Sequence, residues 1–165
     1  MTNLKIIKGD ITKIKTEAIV NAANTHLNGG GGVDGAIHVA AGPKLDKACK
    51  KLKGCPTGKA KITPGFNLPA TYIIHTPGPI WHGGNHNEAK LLEGCYLNSL
   101  KLADQYNCKT IAFPSISTGV YGYPLNLATK IAIKTIQSFS KKIKVIIVCF
   151  DSKTYFSYQK TFKEI

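Results

Sequence analysis

The chain has 165 residues, of which 43% are hydrophobic and 19% charged, so it is long enough and apolar enough to form one domain with a buried core. Its longest apolar run, residues 145–150, is far too short to cross a bilayer, and the N-terminal residues lack the apolar stretch of a signal peptide. These features argue against a membrane-spanning or secreted protein and predict a cytoplasmic one.

The formal net charge is +13, and every basic residue is lysine because the chain contains no arginine. A positive surface attracts phosphate-rich partners over long range, so weak, nonspecific binding to nucleic acid stays open. Arginine is the residue that recognises guanine edges through bidentate hydrogen bonds. Its absence weakens the interpretation of the chain as a sequence-specific nucleic-acid-binding protein. A solvated lysine surface without a partner is the favoured interpretation.

The five cysteines are widely spaced, and none forms the Cys-x-x-Cys pair that zinc and redox sites favour. We therefore expect reduced, mostly buried thiols. The sequence contains no visible cluster of metal ligands, so neither a metal nor a cofactor is expected.

Apolar runs and helical periodicity alternate along the chain. The patterns predict strands at residues 4–8, 18–20, 60–62, 72–75, 110–113 and 145–150. They predict helices from Val33, from Pro43, over 88–106 and 124–139, and a short terminal helix around Tyr158. The central strands are too apolar to have one solvent-exposed face. The alternation of strands and helices therefore predicts a mainly parallel sheet with helices on both sides.

Four consecutive glycines, residues 29–32, follow the turn Asn21-Ala-Ala-Asn24 and lead directly into a predicted helix. Ordering four glycines is costly in backbone entropy. Close approach of a ligand to bare backbone amides would justify that cost, and amides at a helix N-terminus form an anion site suited to a diphosphate. A flexible surface loop is the alternative, but ligand binding is favoured because the run meets a helix.

Three polar side chains flank this glycine run. Asp34 lies in the predicted first helical turn, where the helix dipole favours a carboxylate with or without a catalytic role. Asn24 can act simply as a turn or cap residue. His38 is interpreted as a packing or hydrogen-bonding histidine rather than a metal ligand, since no second ligand has metal-site spacing.

A second polar segment, residues 115–124 (SISTGVYGYP), lies between a predicted strand and a predicted helix. This segment could bind phosphates through Ser117, Thr118, Gly119 and the amides that follow, while Tyr121 covers a sugar. An ordinary polar loop is the alternative, and this segment alone is only suggestive.

Asp10 and Phe150 each end a predicted strand. Asp10 can accept a hydrogen bond from an exocyclic amine such as that of adenine, but capping of the turn through Thr12 is the better-supported role from the residues alone. Phe150 can stack on a base, although an isolated aromatic residue is more often part of the core.

Several familiar enzyme motifs are missing. Residues 54–60 have three residues rather than four between the glycines of a P-loop, and no hydroxyl residue follows the lysine. There is no Gly-x-Gly-x-x-Gly after the first strand and no Gly-x-Ser-x-Gly elbow. The sequence therefore does not indicate an ATPase, a dehydrogenase or a serine hydrolase.

Taken together, the motifs resemble the macrodomain family, and more closely its MacroD-type ADP-ribosyl hydrolases. The resemblance runs over nearly the whole chain, and the most specific part is the pair GGGGVD at residues 29–34 and ISTGVYGY at residues 116–123. It implies one macrodomain over residues 1–165, a three-layer α/β/α sandwich with a mostly parallel, mixed central sheet, whose crevice holds ADP-ribose.

The resemblance also implies roles for individual residues. By this similarity Asp10 bonds the adenine amine, Ile11 contributes a nearby backbone amide, Phe150 flanks the adenine, and Asn24 binds the distal ribose. The residues implied to cradle the diphosphate are Gly30, Gly31, Gly32, Val33, Ser117, Thr118, Gly119, Val120 and Tyr121. For Asp10 and Phe150 the resemblance, and not the pattern, favours the binding role.

The implied activity is removal of mono-ADP-ribose from Glu and Asp side chains of proteins and deacetylation of O-acetyl-ADP-ribose. Because the pattern lacks a serine or cysteine nucleophile, we expect attack by a water that Asp34, Asn24 and the diphosphate position. One alternative is a module that binds ADP-ribose without cleaving it; another is an RNA-binding regulatory protein. Asp34 beside Asn24 favours the enzyme, and no aromatic and basic stacking platform supports RNA binding.

The sequence departs from these hydrolases at a few positions. His82 and Val39 stand where arginine is usual, and Lys59 stands where an acid is common. We expect these changes to affect surface charge more than the crevice.

Overall fold

The structure is a computed structural model that describes residues 3–165. Its six strands are β1 (Asn3–Lys8), β2 (Ala18–Ala23), β3 (Lys61–Pro64), β4 (Tyr72–Pro77), β5 (Thr110–Phe113) and β6 (Lys144–Cys149). Its α-helices are α1 (Gly32–Ala41), α2 (Pro43–Leu52), α3 (Glu88–Gln105), α4 (Leu125–Ser138) and α5 (Ser152–Glu164).

The strands form one sheet in the order β1-β6-β5-β2-β4-β3. Neighbouring strands run parallel throughout, except that β3 pairs antiparallel with β4 at one edge. Pro64 ends β3, and proline is tolerated there because an edge strand has one side without ladder partners. The predicted mixed, mostly parallel sheet is confirmed.

Two apolar cores lie on opposite faces of this sheet. Ile19 and Val20 are adjacent in β2, and because successive side chains of a strand point to opposite faces, they enter different cores. Helices α1 and α2 cover one face through residues such as Leu45, and α3, α4 and α5 cover the other through residues such as Ile133 and Tyr158. The predicted three-layer sandwich is therefore confirmed.

Some element boundaries differ from those predicted. The strand predicted at 60–62 lies at Lys61–Pro64, and the terminal helix is longer than expected because Asp151 caps it and Tyr158 packs into the core. The last strand ends at Cys149, so Phe150 lies outside the sheet with 80% of its surface exposed. The alternative in which Phe150 belongs to the core is therefore wrong.

The cysteines have the state that the sequence predicts. All five cysteines are free and buried, as predicted, and burial raises the pKa of the Cys149 thiol to about 12. Within residues 3–165, none of the helices has the length and apolar character that a bilayer span requires.

Truncation of Ile133, which is fully buried in α4, should lower the free energy of unfolding. We expect Ile133→Ala to cost about 3 kcal/mol, because it removes buried methyl groups and leaves a cavity. Leu127→Ala is the matched control, because Leu127 lies in the same helix with 40% of its surface exposed. Urea denaturation measures both variants, and equal losses would contradict the placement of α4 against the sheet.

Candidate functional site

A crevice lies at the carboxyl ends of β1, β2, β5 and β6, where ligands bind in parallel sheets of this kind. It contains two adjoining cavities of about 300 and about 400 Å³. Both cavities are bordered by Gly32, Val33, Ser115 and Gly119, so they form one continuous depression.

Each residue that the sequence singled out for a site lines one of these cavities. The first cavity takes Asn24, Gly30, Gly31, Gly32, Val33, Asp34, Ser117, Gly119, Val120 and Tyr121. The second takes Asp10, Ile11, Gly32, Val33, Thr118, Gly119 and Phe150. Residues from four separate loops are thus brought together, while their individual roles stay predictions.

The glycine run forms the exposed wall of the first cavity and ends in the first turn of α1. Gly32 has φ +56°, in the left-handed region where a side chain would be strained. Gly35 lies so close to the Gly30 carbonyl that a Cβ there would collide with its oxygen. The loop therefore folds onto the helix at Gly30 and leaves no space for a side chain at Gly35.

Asn24 holds the start of this loop. Its Nδ2 donates to the Gly29 carbonyl at 3.0 Å, and its Oδ1 accepts from the Asn28 amide at 3.4 Å. These bonds agree with the turn or cap role that the sequence left open for Asn24. An amide nitrogen has two hydrogens, so Nδ2 can also donate to a ligand in the first cavity.

Asp34 is the acidic group of the first cavity, and only 6% of its surface is exposed. Burial raises its pKa above the ordinary aspartate value, while a hydrogen bond from Asn21 and the nearby His38 act in the opposite direction. The Asn21 Nδ2 donates to Asp34 Oδ1 at 2.9 Å, and His38 Nε2 lies 3.3 Å from the same oxygen. A carboxyl with increased proton affinity is suited to proton transfer.

His38 lies between two carboxylates on neighbouring helices. Its Nε2 contacts Asp34, and its Nδ1 is 2.7 Å from Asp46 Oδ1. The prediction of a hydrogen-bonding histidine is confirmed. Among the residues that the structure describes, no group of three or more potential ligands could hold a metal ion.

Asn21, which the sequence places in a turn motif without indicating a role for it, is a hydrogen-bond donor to Asp34. It lies beside His75 in the parallel register of β2 and β4, and its Nδ2 is 3.2 Å from His75 Nδ1. Burial lowers the pKa of His75 to about 3, so the ring is neutral. Since Asn21 donates to Nδ1, the ring proton is on Nε2, which lies 3.0 Å from Thr63 Oγ1.

This buried chain of polar groups connects Asp34 to the interior of the sheet. Asn21, His75 and Thr63 are all buried; Asn21 pairs with Asp34 and with His75, and His75 pairs with Thr63. Breaking one of these links would leave a buried polar group unsatisfied, so the links hold Asn21 in place, although Asn21 Oδ1 itself has no hydrogen-bond partner in the described part of the chain. The signal that could have identified Asn21 is its place in the same short motif as Asn24.

The second loop, residues 114–124, closes the crevice from the opposite side. Its backbone is tied to helices, because the Ile116 amide donates to the Tyr96 hydroxyl at 3.2 Å and Ser115 Oγ lies 2.9 Å from the Tyr158 hydroxyl. Thr118 Oγ1 donates to Ser115 Oγ at 2.7 Å. These bonds hold the segment in place beside the crevice.

Asp10 and Phe150 form the far end of the second cavity. Asp10 Oδ1 accepts from the Thr12 amide at 3.0 Å and from the Thr12 hydroxyl at 2.7 Å, and these bonds lower the pKa of Asp10. The capping role is confirmed, and it keeps the carboxylate ionised at the cavity edge. A ligand can reach the exposed ring of Phe150.

Comparison with known proteins shows which family the chain belongs to. A family model described as Macro domain matches residues 20–132. A Macro domain-containing protein of Lactiplantibacillus plantarum is 60% identical over 159 residues, covering 93% of this chain and 92% of the relative. A protein of Escherichia fergusonii named O-acetyl-ADP-ribose deacetylase is 50% identical over 167 residues, covering 96% of this chain and 94% of the relative.

A solved structure agrees with the fold. A mutant macrodomain of Oceanobacillus iheyensis, described as containing ADPR, has a TM-score of 0.94 and 48% sequence identity. The match covers 98% of this chain and 92% of that chain.

Removal of the Asn21 amide should raise the pKa of Asp34. Asn21→Leu keeps the side-chain shape but deletes the N–H that stabilises the ionised carboxylate. Since the hydrogen bond from Asn21 stabilises the charged form of the carboxyl, we expect the pKa of Asp34 to rise further when the bond is lost. The other titratable groups around Asp34, which stay in place, are His38, Asp46, Cys49 and His75.

NMR titration of the Asp34 carboxyl carbon measures this change in the free protein. Asn98→Leu is a matched control, because Asn98 donates to the Gly58 carbonyl and has no bond to Asp34. An unchanged Asp34 titration in Asn21→Leu would show that the buried chain does not control this carboxyl.

Proposed function

Because this chain belongs to the Macro domain family, we propose that its crevice binds ADP-ribose and hydrolyses ester links to the distal ribose. Its substrates are O-acetyl-ADP-ribose and proteins that carry mono-ADP-ribose on Glu or Asp side chains. Residues 1–165 act as one macrodomain. The relative named O-acetyl-ADP-ribose deacetylase and the solved macrodomain with ADPR support this assignment.

The proposed ligand lies across both cavities. Adenine occupies the second cavity, with its amine bonded to Asp10 and its ring against Phe150. The diphosphate lies between the glycine run and the second loop, where the N-terminus of α1 favours negative charge. The distal ribose then reaches Asn24 in the first cavity.

The observation that carries the catalytic proposal is the position of Asp34. A nearly buried carboxyl with a raised pKa lines the cavity that also contains Asn24 and the glycine run. Simple binding would not favour such a group, because an acid next to a diphosphate costs electrostatic energy. A general base, by contrast, needs a carboxyl whose pKa is raised toward the working pH.

The reaction adds one water across the ester. The ribose is released with a hydroxyl, and the acyl group is released as a carboxylate and a proton. Asp34 accepts a proton from the attacking water, and Asn24 holds the ribose at near-attack distance. The loop amides hold the diphosphate in a fixed, preorganised field.

Loss of the Asp34 carboxyl should abolish most turnover without abolishing binding. We expect Asp34→Ala to lower kcat by about 100-fold or more, which is the typical contribution of a general base. Affinity for ADP-ribose, measured by calorimetry, should stay within about threefold of the wild type. Release of ADP-ribose from a glutamate-modified protein and of acetate from O-acetyl-ADP-ribose gives the two rates.

The control for this experiment is Asp104→Ala, because Asp104 is an exposed acid in α3. It should behave as the wild type in all three measurements. Tight binding by the wild-type protein with no release from either substrate would identify a binding module instead. A wild-type rate in Asp34→Ala would contradict the mechanism.

Asp10→Ala should weaken ADP-ribose binding by about tenfold, because it removes a charged hydrogen-bond acceptor. Since Asp10 also caps the turn at Thr12, the matched control is Thr12→Ala, which loses one capping bond but keeps the carboxylate. Calorimetry should find weaker binding only in Asp10→Ala. Equal affinities in the two variants would assign Asp10 to capping alone.

A further inference from the structure

The second loop reaches the crevice through residues 115–119, and one of these residues has a strained backbone. Ser117 has φ +67°, in the left-handed region that residues with side chains rarely adopt. Ser115 and Gly119 border both cavities, so the proposed diphosphate lies against this segment. A strained backbone persists where the surrounding structure holds it in place. The groups that hold residues 115–119 therefore decide how the loop meets the diphosphate.

A chain of hydroxyl groups holds the segment on both sides of Ser117. Thr118 Oγ1 donates to Ser115 Oγ at 2.7 Å, and Ser115 Oγ lies 2.9 Å from Tyr158 Oη. A hydroxyl group has one hydrogen and two acceptor lone pairs, so Ser115 Oγ can accept from Thr118 and still donate to Tyr158. This hydroxyl chain, Thr118–Ser115–Tyr158, runs from the crevice into helix α5.

A second phenol lies at the inner end of the hydroxyl chain. Tyr96 Oη accepts from the Ile116 amide at 3.2 Å and lies 3.5 Å from Tyr158 Oη. Both phenol side chains are fully buried. Burial raises the pKa of Tyr158 to about 12, although its bonds to Ser115 and Tyr96 act in the opposite direction, so Tyr158 keeps its hydrogen at neutral pH. The two phenols thus anchor the loop between α3 and α5.

Helix α5 contributes to the crevice at two places along its length. Asp151 and Thr154, at its N-terminal end, border the second cavity, where adenine is proposed to lie. Tyr158 follows one turn after Thr154, and because it is fully buried it acts on the crevice through Ser115. One helix therefore connects the proposed adenine end of the site to the proposed diphosphate end.

The alternative role for Tyr158 is packing alone, since its ring belongs to the core on this face of the sheet. A phenylalanine ring would fill nearly the same space, and burying the extra oxygen costs free energy unless it is hydrogen-bonded. The partners of that oxygen are Ser115 Oγ in the loop and Tyr96 Oη, which itself holds the loop at Ile116. The position of the hydroxyl group therefore favours a role in holding the loop.

We propose that Tyr158 is a positioning residue for diphosphate binding, which acts through Ser115 to hold the backbone of residues 115–119 in the shape that the diphosphate contacts. This inference rests on the proposed function, because it concerns the same crevice. A loop that is ordered before the ligand arrives loses less conformational entropy on binding, so the buried hydroxyl group increases affinity without touching the ligand.

The test begins with Tyr158→Phe, which deletes the oxygen and keeps the ring. Calorimetry should find that ADP-ribose and ADP bind about fivefold more weakly, because one hydrogen bond that holds the loop is lost. Adenosine has no phosphate, so its Kd, measured by NMR titration, should equal that of the wild type. The matched control is Tyr155→Phe, because Tyr155 lies in the same helix and its hydroxyl group accepts from Gln159 Nε2 at 2.9 Å. This control should bind all three ligands as the wild type does.

Ser115→Ala and the double variant Ser115→Ala/Tyr158→Phe show whether the two residues act together. Because Tyr158 acts through Ser115, the double variant should lose no more affinity for ADP-ribose than Ser115→Ala alone. Losses that add would mean that Tyr158 acts independently, and would overturn the inference. Ser115 is partly exposed, so Ser115→Ala should fold even if Tyr158→Phe does not, and an unchanged affinity for ADP-ribose in Ser115→Ala would also overturn it.

The remaining outcomes separate this inference from the proposed function. An unchanged affinity for ADP-ribose in Tyr158→Phe, with binding by the wild type, would refute the positioning role and leave the proposed function standing. An equal loss of affinity for adenosine would assign the hydroxyl group to the fold as a whole. A wild-type protein that binds neither ADP-ribose nor ADP would refute both.

Discussion

The hydrogen bond from Asn21 to Asp34 is the constraint on which the rest of the site depends. It joins the end of the central strand β2 to the first turn of α1, and the glycine run forms the chain between these two points. Gly35 lets the helix approach the loop closely, since a Cβ there would collide with the Gly30 carbonyl oxygen. The bond from Asn21 fixes a carboxyl that burial alone would tend to protonate, and the parallel register with His75 keeps Asn21 in place.

The other walls of the crevice are loops from separate parts of the chain. The second loop is tied to α3 through Tyr96 and to α5 through Tyr158, so its position depends on helices that cover the opposite face. The loop between β4 and α3 is held by Glu88 at the start of α3, whose carboxylate accepts from the His82 amide. The glycine run, the second loop and the β4–α3 loop are therefore each held in place by separate hydrogen bonds. Such preorganisation is what hydrolysis by a positioned water requires.

Sequence patterns predict the layers, the mostly parallel sheet and the loops at its carboxyl edge, because apolar periodicity and glycine placement are local properties. Asp34 and the glycine run could be identified for the same reason. Asn21 and His75 could not be linked, since they are 54 positions apart and meet only through the β2–β4 register. The exposure of Phe150 depended on where β6 ends, and strand ends are set by tertiary packing rather than by the residues themselves.

A crystal structure of the protein with ADP-ribose tests the central claim most directly. The account predicts adenine between Asp10 and Phe150, the diphosphate against the glycine run and the second loop, and the distal ribose within hydrogen-bond distance of Asn24 and close to Asp34. A ligand bound outside this crevice, or bound in the reverse direction with adenine at Asn24, would contradict the account.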